Sequence, residues 1–562
     1  MMNATKWILV LVFVGFGATT RAQNAPIPDD QIKTIVISEY IPSINDHPKK
    51  ITETPSILDT VVHAPNTEYK LVPRKFDTYY AVDPIKSAKM EGERLDALNK
   101  LYLKGGIGNY LSAYGEGFYS AGRSKDDDYG IHVRHFSSSS SVGGTPGFSG
   151  YSDDDVNLFG TKFIGKHSLD ADINYTRNSV YFYGDDLGSF QHAKDSIHQY
   201  FNCVSANLAL LSHYPDSTKL NHSVKLNYYF MDDHYKTSEN NLKVSGTMWR
   251  YLHDELVGMD LSADYYSDHA LRDTNTMTIL HLHPYMAAEG EKWEVKVGLS
   301  AYAEFSKQAP FYSFMPDAEA SYDIYKHILT PYVAFEDGDV RNSYRYLTSE
   351  NPFVNPDVVG GIQNTRYKYS VVGGLRGVLS SSLSYDAHAS FGEVENAAFF
   401  VNDTADAQHN KFTVVYDDGT LFKAHGEIGY QKTEKLHFLV KADYIKYFLY
   451  HELHQWHTPT TRLTLSANYN LREKFLIKAD LFALNEQYAP VYARSAGAPH
   501  AVTLTTKTLG PLVDANLGVE YRYSKYLSAF LTCNNIGALK YYQWNDYPTQ
   551  AFNLLLGISY IF

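Results

Sequence analysis

Histidines are the side chains whose spacing comes closest to that of a chemical site. His451, His454 and His457 occur together in the segment His451-Glu-Leu-His-Gln-Trp-His457. A zinc-protease signature, His-Glu-x-x-His, has one more residue between its first two histidines, so the segment does not predict a hydrolase. Two interpretations remain open for these three imidazoles. They capture a metal ion or haem, or they belong to a polar loop tip anchored by Trp456.

A second pair, His281 and His283, is separated by one residue. Alternate side chains of a β-strand point to the same face, so the two imidazoles lie side by side if this segment is a strand. A metal ion would need a third ligand from elsewhere. The alternative is that both rings simply line a wet surface.

No Ser, His and Asp can be placed together from the sequence, so we predict no enzyme and no cofactor.

In several segments of the last third of the chain, apolar residues alternate with polar or charged residues. Leu436, Phe438 and Val440 alternate with polar residues, and the same pattern recurs over residues 475–482 and 513–522. Such strands have one apolar and one wet face, as in the wall of a membrane β-barrel. Because the wet-face charges are of mixed sign, they argue against a strongly ion-selective pore. The predicted lumen-lining residues are Lys441, Asp443, Lys478, Asp480, Asp514, Glu520 and Arg522.

The last strand has one wholly apolar face. Phe552, Leu554, Leu556, Ile558, Tyr560 and Phe562 alternate up to the C-terminus. After the N-terminal apolar run there is no stretch of eighteen apolar residues, which excludes helical membrane spans. A closed barrel is the other structure that satisfies every backbone polar group in lipid. The sequence therefore predicts an all-β protein, a transmembrane antiparallel β-barrel.

Composition agrees with a barrel in the outer membrane of a Gram-negative bacterium. Aromatic residues make up 14% of the chain, with 47 Tyr, 29 Phe and 5 Trp, as expected where aromatic girdles meet both membrane interfaces. The net charge of −13 argues against nucleic acid as a partner. Of the two cysteines, Cys203 is expected to face the lumen and Cys533 the lipid, so no disulfide joins them.

The connections between the predicted strands alternate in length. Short turns are expected near residues 253–255, 433–435, 472–474 and 523–525, and long loops at the opposite ends, among them 339–365, 397–418 and 449–459. Outer-membrane barrels have short periplasmic turns and long outer loops. We count about 20 to 22 strands between residues 100 and 562, with the least defined register between residues 100 and 150.

The N-terminal part divides into two segments. Residues 1–22 read as a signal peptide, with Lys6 before an apolar run and small residues before a cut after Ala22. Residues 23–99 form a periplasmic segment with eight prolines and a single glycine, Gly92. This segment is a partial plug, an arm that docks a partner, or a leader along the barrel floor.

The C-terminal stretch supports a resemblance. Leu531-Thr-Cys-Asn-Asn535, the pair Tyr541-Tyr542, Tyr547-Pro548 and the strand ending in Phe562 resemble the end of TonB-dependent outer-membrane receptors of the Bacteroidetes type. Those receptors have a 22-stranded barrel filled by an N-terminal plug. Residues 23–99 are too few and too poor in glycine for that plug. Residues 33–38, Lys-Thr-Ile-Val-Ile-Ser, are the candidate for the motif that the energising protein grips.

Three hypotheses follow from this resemblance and from the difference between residues 23–99 and the plug of those receptors. The first is a receptor or porin-like channel for a small solute, set in outer-membrane lipid and without a full plug. The second is a non-transporting scaffold whose residues 23–99 dock a surface partner or a periplasmic or lipoprotein partner, since an extended chain can add a strand to another protein. The third is a TonB-coupled importer with a shortened plug. A barrel this wide also needs something to fill its lumen.

Overall fold

The fold is taken from a computed structural model. It describes residues 99–562 except 123, 125, 146, 185–192, 217, 271–272, 308–309, 337, 407–409, 434 and 496–497. The predicted signal peptide (1–22) and nearly all of the predicted periplasmic segment (23–99), with its candidate motif at 33–38, lie outside the described residues. Within the described ranges, no helix is long and apolar enough to cross a membrane.

Strands make up most of the described chain. In chain order they are β1 (Leu101–Gly108), β2 (Ser112–Ser120), β3 (Asp127–Ser138), β4 (Tyr151–Ile164), β5 (His167–Tyr181), β6 (His198–Ser212), β7 (Asn221–Asp233), β8 (Ser238–Leu252), β9 (Glu255–His269), β10 (Thr274–Glu289), β11 (Trp293–Ser306), β12 (Phe311–Tyr322), β13 (Thr330–Glu336) and β14 (Asp339–Val340). They continue with β15 (Thr365–Ser380), β16 (Leu383–Asn402), β17 (Phe412–Thr433), β18 (Leu436–Leu449), β19 (Thr461–Leu471), β20 (Phe475–Leu484), β21 (Gln487–Ser495), β22 (Ala498–Leu509), β23 (Leu512–Arg522), β24 (Leu527–Asn534), β25 (Tyr542–Trp544), β26 (Tyr547–Pro548) and β27 (Asn553–Ile561).

Short helices occur only in connections between the described strands. Among the residues that the structure describes, there is one α-helix, α1, Tyr344–Glu350. Three 3-10 helices are Asn109–Leu111, Lys194–Ser196 and Pro356–Gly361.

One antiparallel sheet closes on itself. It contains 23 strand segments, and β13 and β14 both pair with β15 as two parts of one crossing, so the wall has 22 crossings. The last strand closes the barrel by pairing with the first, from Tyr102 opposite Ile561 to Gly108 opposite Leu555. The predicted fold class and strand count are confirmed. The hairpins β21–β22 and β25–β26 are separate two-stranded sheets outside the wall.

The outer face of the wall is apolar, as the alternation predicts. Leu556, Ile558 and Tyr560 of β27 are exposed, and so are Phe438, Val440 and Tyr444 of β18. A closed ring of strands with this exterior suits a hydrocarbon environment, because every strand edge is paired and the outward side chains are apolar.

Turns at one end of the barrel are mostly short, whereas the other end carries the long connections together with some tight ones, such as residues 109–111 and 234–237. Predicted tight turns follow Leu252, Thr433, Leu471 and Arg522. The loop predicted over residues 397–418 is shorter than expected, because β16 extends to Asn402 and β17 begins at Phe412. The strand ends concerned, residues 397–401 and 412–416, are apolar at almost every position, so they lack the alternation by which the other strands were predicted.

The largest core lies among the long connections rather than in the wall. Its buried members, here called the mouth core, are Phe201, Cys203, Met231, Ala270, Tyr344, Leu347, Val354, Val358, Val359, Ile362, Phe400, Phe412, Trp544 and Tyr547. Both cysteines are free thiols, Cys203 within this core and Cys533 half-buried in β24. The apolar residues of the outer loops therefore fold into the barrel mouth.

Candidate functional site: the mouth of the barrel

Residues 341–364, here called the mouth segment, connect β14 to β15 and fold against the inner face of the wall. Helix α1 begins within it after Ser343, whose hydroxyl accepts the N–H of Tyr346. The Glu239 carboxylate of β8 accepts the N–H of Tyr344 at 2.5 Å and the N–H of Arg345 at 3.3 Å. A carboxylate is a favourable acceptor at a helix N-terminus, so a wall residue caps this helix.

The start of the mouth segment is held by a buried carboxylate of β9. Asp264 forms an ion pair with Arg341, and its side chain is 1% exposed. Lys243 of β8 lies 3.8 Å from the same carboxylate, and the Asn241 amide donates to it at 2.5 Å. A buried charge is tolerated only with such partners. Asp264 therefore binds Arg341 of the mouth segment and, at the same time, Lys243 and Asn241 of the wall.

Tyr344 makes the deepest contact of α1. Its side chain is 0% exposed, and its hydroxyl donates to Asp233 of β7 at 2.8 Å. The Gln199 amide of β6 donates to the same carboxylate at 3.0 Å. The ring also packs edge-on against Phe201 of β6, with centroids 6.4 Å apart. Residues of β6 and β7 therefore surround the Tyr344 side chain, while Glu239 of β8 binds its backbone N–H.

The end of the mouth segment is fastened to β11. The Asn364 amide donates to Glu304 at 3.0 Å, and Arg366 at the start of β15 binds the same carboxylate at 2.9 Å. Asn342 bonds across the base of the segment to the carbonyl of Gln363 at 2.7 Å. These bonds hold the two ends of the mouth segment next to each other at the wall.

The middle of the mouth segment reaches a distant part of the wall. Val354 forms a β-bridge with Phe412 of β17, and the Asn355 N–H donates to the Phe412 carbonyl at 2.7 Å. Because β14 continues β13, β17 is the sixteenth crossing and lies nine crossings from β7, whose Asp233 binds Tyr344, in a wall of 22. A segment bonded to both strands spans the mouth.

The three histidines of the 451–457 segment contact different partners. His451 Nδ1 lies 2.8 Å from Asp417, and this bond raises the pKa of His451. His454 stacks on Tyr488 with centroids 4.3 Å apart, and burial lowers its pKa. His457 bonds the Phe400 carbonyl through Nδ1 at 2.9 Å. Trp456 is buried and donates to Glu452 at 2.7 Å. This arrangement is that of an anchored loop tip.

His281 and His283 lie on one face of β10, with ring centroids 6.0 Å apart. Both ring nitrogens of His283 face carboxylates, Asp260 at 3.2 Å and Asp317 at 2.7 Å. Lys296 binds Asp317 at 3.0 Å. Within the ranges that the structure covers, no three His, Cys, Asp or Glu side chains form a group suited to a metal ion.

The predicted lumen-lining residues are divided among several local contacts. Lys441 binds Glu427 at 2.9 Å, Asp443 binds His425 at 2.6 Å, and Asp480 accepts from Ser466 at 2.6 Å. Lys478 of β20 lies opposite Gly518 of β23. Asp514 accepts the N–H of Gly537 at 3.3 Å, and Arg522 lies 4.0 Å from Glu520. The structure does not bring these seven residues into one site.

Sequence reasoning missed the residues that fasten the mouth segment. Glu239, Asp264, Arg341 and Tyr344 have no motif spacing, and their partners are distant in the chain. It also missed polar pairs of the first wall strands, such as His132 with Glu116 at 3.1 Å. One feature of the sequence could have indicated that the connection at 339–365 is packed against the wall. It carries two adjacent apolar residues, Val358 and Val359, which is unusual for a solvated loop.

No protein-family model matches the sequence, and a search of curated proteins finds no match. Solved structures do match the fold. The FrpB iron transporter of Neisseria meningitidis (F3-3 variant) superposes with a TM-score of 0.65 at 11% identity, over 83% of this chain and 82% of that one. The pyoverdine outer membrane receptor FpvA of Pseudomonas aeruginosa PAO1 has a TM-score of 0.61 at 12% identity, over 84% and 79% of the chains.

A third match is the ferric-catecholate import receptor Fiu of E. coli K12, with a TM-score of 0.60 at 11% identity over 84% of this chain and 81% of that one. These neighbours are transporters and receptors. The closed 22-crossing wall, its apolar exterior and these superpositions lead to one conclusion. The chain is an outer-membrane β-barrel with the fold of the TonB-dependent receptors.

Proposed function

We propose that this barrel is a receptor or porin-like channel for a small polar solute, and that its own outer loops close it. The observation that carries the proposal is the mouth segment, which is bonded to Glu239 and Asp264 on one side and to Phe412 on the other. A segment that spans the mouth blocks the path that such a wide wall would otherwise leave open.

The wall supports passage of a polar solute. Ionised groups on its inner face are paired, as in Lys441 with Glu427, Arg134 with Asp153 and Lys296 with Asp317. Paired charges of both signs offer hydrogen bonds without a strong net field, so they suit a polar solute better than a simple ion. The solved neighbours that carry iron or pyoverdine support a small solute by analogy of fold.

Conductance across a planar bilayer tests the proposal. Four forms are compared: the intact chain, one lacking residues 23–99, one lacking the mouth segment, and one lacking both. Val340 and Thr365 are paired directly, so a turn of about four residues can replace the mouth segment without moving β14 or β15. Heat-dependent migration in a denaturing gel shows that each form is folded.

We expect steady channels in the form that lacks both segments, and reduced or absent conductance in the intact chain. Comparison of the two single deletions shows which segment is the main occluder. If the folded double deletion does not conduct, the proposed channel is wrong.

The scaffold hypothesis predicts a different result. A partner would co-purify with the intact chain and be lost when residues 23–99 are removed, while no form conducts. The third hypothesis, TonB-coupled import, requires that uptake stop when the proton gradient is dissipated.

A further inference from the structure

The bonds of the mouth segment differ on its two sides. Toward β17 it uses its backbone, through Asn355 N–H to the Phe412 carbonyl and Phe412 N–H to the Phe353 carbonyl at 3.0 Å. Toward β7, β8 and β9 each contact has a wall side chain as partner: Asp233, Glu239 and Asp264. Each polar contact on the β7–β9 side therefore depends on one wall carboxylate, so a single substitution can favour release of this side while the backbone bridge to Phe412 remains.

The wall is prepared for that release. Asp264 keeps Lys243 and Asn241 as partners when Arg341 leaves. Asp233 likewise keeps the Gln199 amide when Tyr344 leaves. Glu239 keeps the Tyr229 hydroxyl, which donates to it at 2.5 Å. Departure of the mouth segment therefore leaves all three carboxylates with a partner, while Arg341 gains water. The usual penalty for breaking a buried ion pair, an uncompensated charge, is reduced.

We propose that the mouth segment is a gate that stays attached at Phe412 and releases from the β7–β9 wall, with the Arg341–Asp264 ion pair as its latch. This inference rests on the proposed channel. Each end of the segment already lies beside a strand end, at Val340 and Thr365, so movement of the segment leaves the register of the wall unchanged.

A disulfide can lock the gate shut. A Cβ placed on Gly360 would lie 3.2 Å from the Asp273 Cβ, which belongs to the connection between β9 and β10. Disulfides join Cβ atoms about 3.5–4.5 Å apart, so a small shift allows a bond between cysteines at these positions. Neither residue takes part in the latch. The single variants Gly360→Cys and Asp273→Cys are the controls for each new thiol.

The test measures single-channel conductance of the full chain and of the form that lacks residues 23–99, each with and without Arg341→Gln. Loss of the latch should raise the open time about tenfold or more, because one buried charge pair is removed. Arg376→Gln is the matched control, since Arg376 pairs with Glu319 within the wall at 3.7 Å. Gly360→Cys with Asp273→Cys in the Arg341→Gln background should abolish openings when oxidised, and a reductant should restore them.

The outcomes separate the two proposals. If the form without the mouth segment conducts but Arg341→Gln behaves as the parent in both backgrounds, the latch is wrong and the channel stands. If oxidation of the protein with Gly360→Cys and Asp273→Cys leaves the channel openings unchanged, the proposed gate is also wrong. If the folded form without either segment is silent, the channel itself is wrong.

Discussion

At the scale of single residues, His457 shows how a histidine can be structural. Its Nδ1 lies 2.9 Å from the Phe400 carbonyl, and its Nε2 accepts the N–H of Asn545 at 3.2 Å. These bonds require a neutral ring with the proton on Nδ1. Burial lowers the pKa of His457 to about 4. The imidazole therefore joins the β16 end to the last outer loop, and protonation would remove its acceptor.

The buried state of His457 predicts acid sensitivity of the outer loops. The unfolded ring binds a proton below about pH 6.5, whereas the folded ring does so only near pH 4, so stability is complete above pH 6.5 and falls as the pH drops toward 4. The loss approaches about 3 kcal/mol for this one group. The protection factors of the 451–457 and 542–547 amides, which are exchange rates corrected for the intrinsic rate at each pH, should fall between pH 7 and 5.

The control for this pH effect is His454→Gln, which removes a less buried ring and should leave the pH profile unchanged. His457→Gln retains hydrogen-bonding atoms and cannot be protonated in this range, so its profile should be flat. A protection factor that falls equally in all three proteins would show that another group is responsible.

At the scale of elements, the hairpin β21–β22 is attached to the barrel mainly at its base. Its strands pair only with each other. At the base, the Tyr488 carbonyl accepts the N–H of His457 at 2.9 Å, and the Tyr488 ring stacks on His454. Residues 504–508 higher on the hairpin are exposed. Residues 504–508 therefore bury little apolar surface.

We predict that replacing residues 491–506 by a short turn leaves the barrel intact. The temperature at which the protein loses its folded gel mobility should change by only a few degrees, because the two strands of this hairpin pair with each other and not with the wall. The matched control shortens the β16–β17 hairpin by a similar length. That change removes buried Phe399, Phe400 and Phe412 and should lower the transition markedly. Equal effects would contradict this assignment of roles.

At the scale of the whole molecule, lipid outside and a polar inside set opposite requirements on neighbouring residues. Ile173 and Asn174 lie at the middle of β5, and Ile173 is 52% exposed on the outer face. Asn174 lies opposite Asn157, which donates to Asp172 at 2.5 Å on the inner face. A charge should therefore be costly at one position and tolerated at the next.

Ile173→Arg should lower the free energy of unfolding by about 2–4 kcal/mol, the cost of a cation at the bilayer midplane of a barrel. Asn174→Arg, its matched control, should change stability by less than about 1 kcal/mol because Asp172 can pair with it. Urea unfolding in lipid vesicles measures both. A larger loss for Asn174→Arg would reverse the assignment of inner and outer faces.

Much of the architecture was predictable because it depends on local periodicity. The alternation of Leu436, Phe438, Val440, Ala442 and Tyr444 with His437, Lys441 and Asp443, and the apolar face ending at Phe562, correctly predicted strands, their faces and a barrel of up to 22 crossings. The predicted tight turns were also correct. The length of β16 and β17 was not, since the ends of these strands are apolar at almost every position and lack the alternation that marks a lipid-facing strand.

The sequence by itself determined a barrel in a membrane, because a period of two residues assigns each side chain to lipid or lumen without reference to any other strand. Only the tertiary structure decided what the long connections do. Arg341 meets Asp264, Tyr344 meets Asp233, and Val354 meets Phe412 across large separations in the chain. No local pattern encodes such contacts, since they depend on which strands the closed wall brings around the mouth.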